Sequence, residues 1–81
     1  GLALKTVTAS SGGGMVNVTV NGRQEVMQIR IDPVCVDSND IPMLEDLVLA
    51  AVNQGLRKSR ELMAEEMKQL TGGLPLPIDI T

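Results

Sequence analysis

The sequence contains no phenylalanine, tyrosine or tryptophan, and its single cysteine has no partner for a disulfide within the chain. Aromatic rings normally contribute the largest blocks of buried area, so the core has to be built from aliphatic side chains and methionine. The 81 residues are expected to form one domain, residues 1–81, which buries only roughly 60–65% of its unfolded surface. Small domains without disulfides or metals commonly oligomerise, and we therefore expect a dimer.

Histidine is also absent, so no unperturbed side chain titrates near neutral pH. Nucleophilic systems that need a histidine are excluded, and so are metal cages of histidine and cysteine. Only carboxylates and lysines remain as acid–base groups, so we expect neither an enzyme nor a cofactor, a metal or a small-molecule substrate. Stacking platforms for single-stranded nucleic acid are excluded too, because they require aromatic faces.

Long apolar runs are missing, so no segment is expected to span a bilayer, and the first residues are not expected to form a signal peptide. A lone cysteine suits a reducing compartment, which indicates the cytoplasm. The formal net charge of −3 argues against a chain coated in basic groups. It is compatible with a local basic patch, because such a patch acts within a Debye length of about 8 Å.

Alternating apolar residues predict three strands, at about residues 4–10, 15–21 and 24–31. Asn21-Gly22 separates the second strand from the third, and this pair favours a two-residue type I′ turn with positive φ at both positions. The turn would place both apolar series on one face of the sheet and leave the hairpin end projecting past the core. The predicted cross-strand pairs are Val20 with Arg23, Val18 with Glu25 and Val16 with Met27.

A helical period begins near Asp40 and continues to about residue 70. Pro42 fits a helix only in its first turn, which agrees with that start. The helix has two apolar strips, and one sheet face cannot cover both, which again predicts a dimer. Gly72-Gly73 indicates the end of the helix, and residues 74–81 are expected to form an extended tail. The first strip contains Leu44, Leu47, Val48, Ala51, Gly55, Ser59, Leu62, Met63 and Leu70, and the second contains Leu49, Leu56 and Met67.

The order of strand, strand, strand and helix predicts an α+β fold, in which a three-stranded antiparallel meander packs against one long C-terminal helix. The same segments resemble the YbaB/EbfC family of bacterial nucleoid-associated DNA-binding proteins. Each matching segment is short, but their order along nearly the whole chain is specific. The segments are Gly12-Gly13-Gly14 and residues 16–26, 29–33, 43–47, 50–53 and 70–74.

This resemblance implies a homodimer that binds double-stranded DNA in the bacterial nucleoid, with little sequence preference and through backbone phosphates. It also implies a family fold with an additional N-terminal helix that contributes to the dimer and DNA surfaces. That helix is missing from this sequence, which we expect to start just after it. The candidate DNA-binding residues are Arg57, Lys58, Arg60 and Lys68 on the predicted helix and Arg23 in the hairpin.

Two other interpretations of these residues remain open. A run of charges on a helix is more often a solvated face with i,i+4 pairs, such as Arg57 with Glu61. The alternative function is a protein-interaction or scaffold dimer that uses exposed apolar helix surface and does not bind DNA. Salt dependence separates the two functions, because phosphate binding releases counterions and weakens steeply with salt, whereas an apolar interface does not.

Overall fold

Three antiparallel strands follow one another in the first half of the chain in the computed structural model, which describes residues 5–70. They are β1 at Thr6–Ser11, β2 at Val16–Asn21 and β3 at Val26–Ile31, and they lie in the order β1-β2-β3. A long helix, α1, covers Ile41–Leu70 and ends the described part of the chain. The predicted α+β meander with one long helix is therefore confirmed, while the extended tail predicted for residues 74–81 lies outside the described residues.

The connections between these elements are short and internally bonded. Gly12–Gly14 links β1 to β2 with positive φ at all three glycines, a conformation that other residues rarely adopt. The Asp32 side chain accepts a hydrogen bond of 3.0 Å from the amide of Val34 and starts a short 3₁₀ turn that buries Cys35. The side chain of Asp40 accepts a bond of 3.2 Å from the amide of Met43, which caps the first turn of α1.

Small residues allow α1 to lie directly on β2. Ala51, Gly55 and Ser59 follow one another at every fourth position on the buried side of the helix. They face a strand whose apolar side consists of Val16, Val18 and Val20, all three with no exposed surface. A Cβ atom added to Gly55 would lie only 2.8 Å from Cγ2 of Val20, so only glycine permits this approach.

The helix covers β1 and β2 and has few contacts with β3, which is exposed along its whole length. Ile29 and Ile31 pair with Val18 and Val16 and therefore share the face on which α1 lies. Their side chains are nevertheless 44% and 39% exposed. An apolar groove of about 450 Å³ lies between α1 and this strand. The groove is lined by Ile31, Leu44, Glu45, Val48, Leu49 and Val52.

The hairpin between β2 and β3 corrects two predictions. Asn21 and Gly22 do not form a two-residue type I′ turn, because the positive φ of the loop lies at Gln24, at 63°. The amide of Asn21 donates to the carbonyl of Glu25 over 3.0 Å, which closes a loop of three residues. The observed pairs are therefore Val16 with Ile31, Val18 with Ile29 and, after a bulge, Val20 with Val26, in place of the predicted pairs.

The side chain of Asn21 explains the longer loop. Its Oδ1 accepts hydrogen bonds from the amides of Arg23, at 2.8 Å, and Glu25, at 3.0 Å, and its Nδ2 donates to the carboxylate of Glu25. The hairpin end projects past the core only in part, because Asn21 and Gly22 are buried, whereas Arg23, Gln24 and Glu25 are exposed. The apolar faces of the two strands still coincide at Val16 and Val18, because their partners differ from the predicted ones by four residues, an even number. Met27, however, is the extra residue of the bulge and is 60% exposed.

We predict that Gly55→Ala destabilises the protein by about 1–3 kcal/mol, because the new methyl group overlaps Cγ2 of Val20. The same change in an exposed helix would stabilise by about 1 kcal/mol. Chemical denaturation measures the difference. In a Val20→Ala background the overlapping atom is gone, so adding Gly55→Ala should be neutral or stabilising. A stabilising effect of Gly55→Ala on the unaltered protein would contradict the close contact.

We also predict that Gln24→Gly raises the free energy of unfolding by up to about 1 kcal/mol, because glycine adopts a positive φ without steric cost. Gln28→Gly is the matched control, since Gln28 lies within β3, where glycine should destabilise by roughly 0.5–1 kcal/mol. If both substitutions lowered the unfolding midpoint equally, the result would contradict a three-residue loop with a positive φ at Gln24.

Candidate nucleic-acid interface

Arg57 and Arg60 lie on the side of α1 that faces away from the sheet. With about 3.6 residues per turn, both side chains point away from the buried line of Ala51 and Gly55, and both residues are exposed. Within residues 5–70, neither guanidinium group forms an ion pair or a hydrogen bond. The i,i+4 pair with Glu61 that a solvated face would favour is not formed there. Both cations are therefore available to a ligand.

Lys58 lies on a different side of α1 and is bonded to the sheet. Its ammonium group donates a hydrogen bond of 3.0 Å to the backbone carbonyl of Thr8, in the edge strand β1. The side chain is exposed and keeps its charge at the surface. The three cations that are adjacent in sequence thus occupy two surfaces, with Arg57 and Arg60 on the outer side of the helix and Lys58 above the edge of the sheet.

Arg23 is held near the middle of α1 by a buried hydrogen bond. The hydroxyl of Ser59 donates to the carbonyl of Asn21 over 2.6 Å, and these two residues are 0% and 3% exposed. This bond holds the loop that carries Arg23 against the buried side of α1, next to the position of Lys58. The sequence placed Ser59 on the apolar strip of the helix but gave no indication of its partner.

Lys5 lies in the same region as Arg23, although it was not identified from the sequence as a candidate DNA-binding residue. Its ammonium group forms an ion pair with the carboxylate of Glu66, and its carbonyl accepts a hydrogen bond of 3.1 Å from the amide of Gly22. We call the region formed by Lys5, residues 21–25, Lys58 and Ser59 the hairpin corner. No local sequence signal identifies Lys5, because its ion-pair partner is 61 residues away along the chain.

Lys68 lies in the last turn of α1, about 12 Å beyond Arg60 along the helix axis. It therefore extends the line of cations away from the hairpin corner. The described part of the chain contains no group of histidine, cysteine, aspartate or glutamate residues that could hold a metal ion. None of its helices is long and apolar enough to cross a membrane.

Comparison with known proteins gives concordant matches. The sequence profile of the YbaB/EbfC DNA-binding family matches residues 1–74. A protein of Syntrophobacter fumaroxidans named as a nucleoid-associated protein is 62% identical over 76 residues, which are 94% of this chain and 69% of that protein. A nucleoid-associated protein of Moorella thermoacetica is 54% identical over 76 residues, which are 94% of this chain and 73% of that protein.

The fold is also similar to a solved structure. The crystal structure of an uncharacterized protein from Helicobacter pylori superposes with a TM-score of 0.71 at 26% identity. The match covers 85% of this chain and 80% of that one, so the sheet and the long helix recur together.

We predict that Ser59→Ala destabilises the protein by about 1–3 kcal/mol, because it removes a buried hydrogen bond to the carbonyl of Asn21. Backbone amide chemical shifts of Arg23 and Glu25 should change with it, since their partner Asn21 is no longer bonded to α1. Ser10→Ala, at an exposed position of β1, is the control and should change stability by less than about 0.5 kcal/mol. Equal effects of the two substitutions would show that Ser59 does not hold the loop.

Proposed function

Since the chain belongs to the YbaB/EbfC DNA-binding family, we propose that it binds duplex DNA with little sequence preference, through contacts to backbone phosphates. The observation that carries the proposal is the outward-facing pair Arg57 and Arg60, which has no partner within residues 5–70. When arginine and lysine side chains contact phosphates, those contacts carry no direct information about the base sequence. Because the sequence has no aromatic ring on which bases could stack, the proposal favours duplexes over single strands.

The distribution of charge supports DNA binding by an acidic chain. Residues 31–56 contain five carboxylates and no lysine or arginine, whereas Arg57, Lys58 and Arg60 follow directly. Residues 57–70 contain four cations and three carboxylates, so the second half of α1 has a net charge of +1, whereas residues 31–56 have a net charge of −5. A duplex that binds at the second half of α1 therefore meets a local excess of positive charge, although the net charge of the chain is −3.

We place the protein in the nucleoid of the bacterial cytoplasm, as the names of its relatives suggest, and assign it no catalytic activity.

We further propose that the protein works as a homodimer and that a second copy covers the groove beside β3. The groove exposes Leu49, at 59%, and Ile31, at 39%, which is unfavourable for a lone chain in water. An aromatic-free core of this size also gains from additional burial. The same groove supports the alternative of a scaffold dimer that binds another protein in place of DNA.

DNA binding is tested by fluorescence anisotropy with several unrelated duplexes at a series of salt concentrations. Arg60→Gln should weaken binding about equally on every duplex. The plot of log affinity against log salt should flatten by roughly one unit for each phosphate that the variant no longer binds. The triple substitution of Arg57, Lys58 and Arg60 by glutamine should enlarge both effects.

Arg30→Gln is the matched control for Arg60→Gln, because it removes the same charge from an exposed arginine on β3. Arg30 pairs with Asn17 and therefore lies on the face of the sheet opposite α1. The proposal requires a clearly larger decrease in affinity for Arg60→Gln. Equal decreases would mean that only net charge matters, and an unchanged affinity and slope in the triple variant would exclude this helix face as the DNA surface.

The dimer proposal predicts a melting temperature that rises with protein concentration, as mass action requires. Leu49→Glu places a charge in the groove and should shift the protein towards monomer in sedimentation experiments. Gln28→Glu adds the same charge on the outer face of β3 and should leave the dimer intact. A folded monomer at micromolar concentration of the unaltered protein would disprove the dimer.

A further inference from the structure

The Lys5–Glu66 ion pair joins the start of the sheet to the last third of α1. The side chain of Lys5 is 54% exposed, whereas that of Glu66 is 19% exposed. The Lys5 backbone is held in place, because its carbonyl accepts the amide of Gly22 at the base of the loop that carries Arg23. The ammonium group is thus fixed at the hairpin corner on a side chain that leaves about half of its surface open to solvent.

We propose that Lys5 is an additional phosphate-contacting residue and that Glu66 competes with DNA for its ammonium group. This inference rests on the proposed DNA binding and adds a residue and a control element to it. In the free protein Lys5 is paired with Glu66. On the duplex, a phosphate oxygen takes the place of the carboxylate, and the cations of the hairpin corner act together.

The exchange is feasible because the lysine side of the pair is open to solvent, and an ion pair at the surface contributes little to stability. Water and salt screen the attraction, and both side chains lose conformational freedom when they pair. A duplex offers one negative charge per about 1.7 Å of its axis, so several phosphates compete with one carboxylate. Glu66 opposes binding in two ways, since it occupies Lys5 and also places a negative charge near the approaching phosphates.

Glu65 provides a control for general repulsion. It neighbours Glu66 on the same helix, is exposed, and forms no ion pair with the part of the chain that the structure describes. Glu65→Gln and Glu66→Gln change the net charge equally, but only the second releases Lys5. A difference between their effects on DNA affinity therefore measures the competition and excludes the net charge as its cause.

The test is a double-mutant cycle on one duplex, followed by fluorescence anisotropy, with thermal unfolding to verify that each variant folds. Lys5→Gln should weaken binding roughly two- to fivefold, and Lys5→Arg should restore it. Glu66→Gln should strengthen binding by a similar factor and by more than Glu65→Gln does. In the Lys5→Gln background, Glu66→Gln and Glu65→Gln should have equal effects.

Two results would overturn the inference: wild-type affinity in Lys5→Gln, or equal increases from Glu66→Gln and Glu65→Gln in the unaltered protein. Arg60→Gln, measured alongside, separates this failure from that of the proposed function. If Arg60→Gln weakens binding and Lys5→Gln does not, DNA binding stands and the role of Lys5 is wrong. If the unaltered protein binds no duplex at all, both proposals fail.

Discussion

The contact between Gly55 and the valines of β2 sets how closely α1 can lie on the sheet. A protein without aromatic rings lacks the bulkiest side chains for the space between a helix and a sheet, so a close approach of the two layers keeps the core densely packed. Ala51, Gly55 and Ser59 present the smallest surface that a helix can offer, and three β-branched side chains fill the gap from the other side. Tight packing of small groups thus replaces the bulky core that the composition lacks.

The position of the other surfaces follows from this contact. Because the small residues hold α1 over β1 and β2, the inward face of β3 is left uncovered, and a groove remains for a partner. Ser59 belongs to the same line of residues and binds the carbonyl of Asn21, which fixes the hairpin loop against the helix. Lys58, Arg23 and Lys5 therefore lie around this bond at the hairpin corner, while Arg57 and Arg60 lie on the outer side of the helix. The residues that pack α1 on the sheet thus also position part of the proposed DNA surface.

Much of the fold could be predicted because periodicity is a local property of the chain. Alternating valines require a strand with one buried face, and the apolar period after Asp40 requires a helix that begins with Pro42 in its first turn. The loop could not be predicted in the same way. Asn-Gly has a strong preference for a type I′ turn, but Asn21 is buried under α1, and its side chain instead binds the amides of Arg23 and Glu25. These hydrogen bonds, together with the bond of Ser59 to the Asn21 carbonyl, favour the three-residue loop over the turn that the Asn-Gly pair prefers.

For the candidate site, too, some features were predictable from the sequence and others depended on the tertiary structure. Sequence alone determined which cations the helix carries, and its family resemblance indicated their partner, because charge and order along the chain do not depend on folding. Only the tertiary structure decided that Lys58 bonds to the edge of β1, that Arg57 and Arg60 face outward without partners in the described residues, and that Lys5 meets Glu66. These arrangements join residues that are 50 and 61 positions apart. Contacts over such separations depend on how the helix crosses the sheet, and no local pattern of residues encodes that crossing.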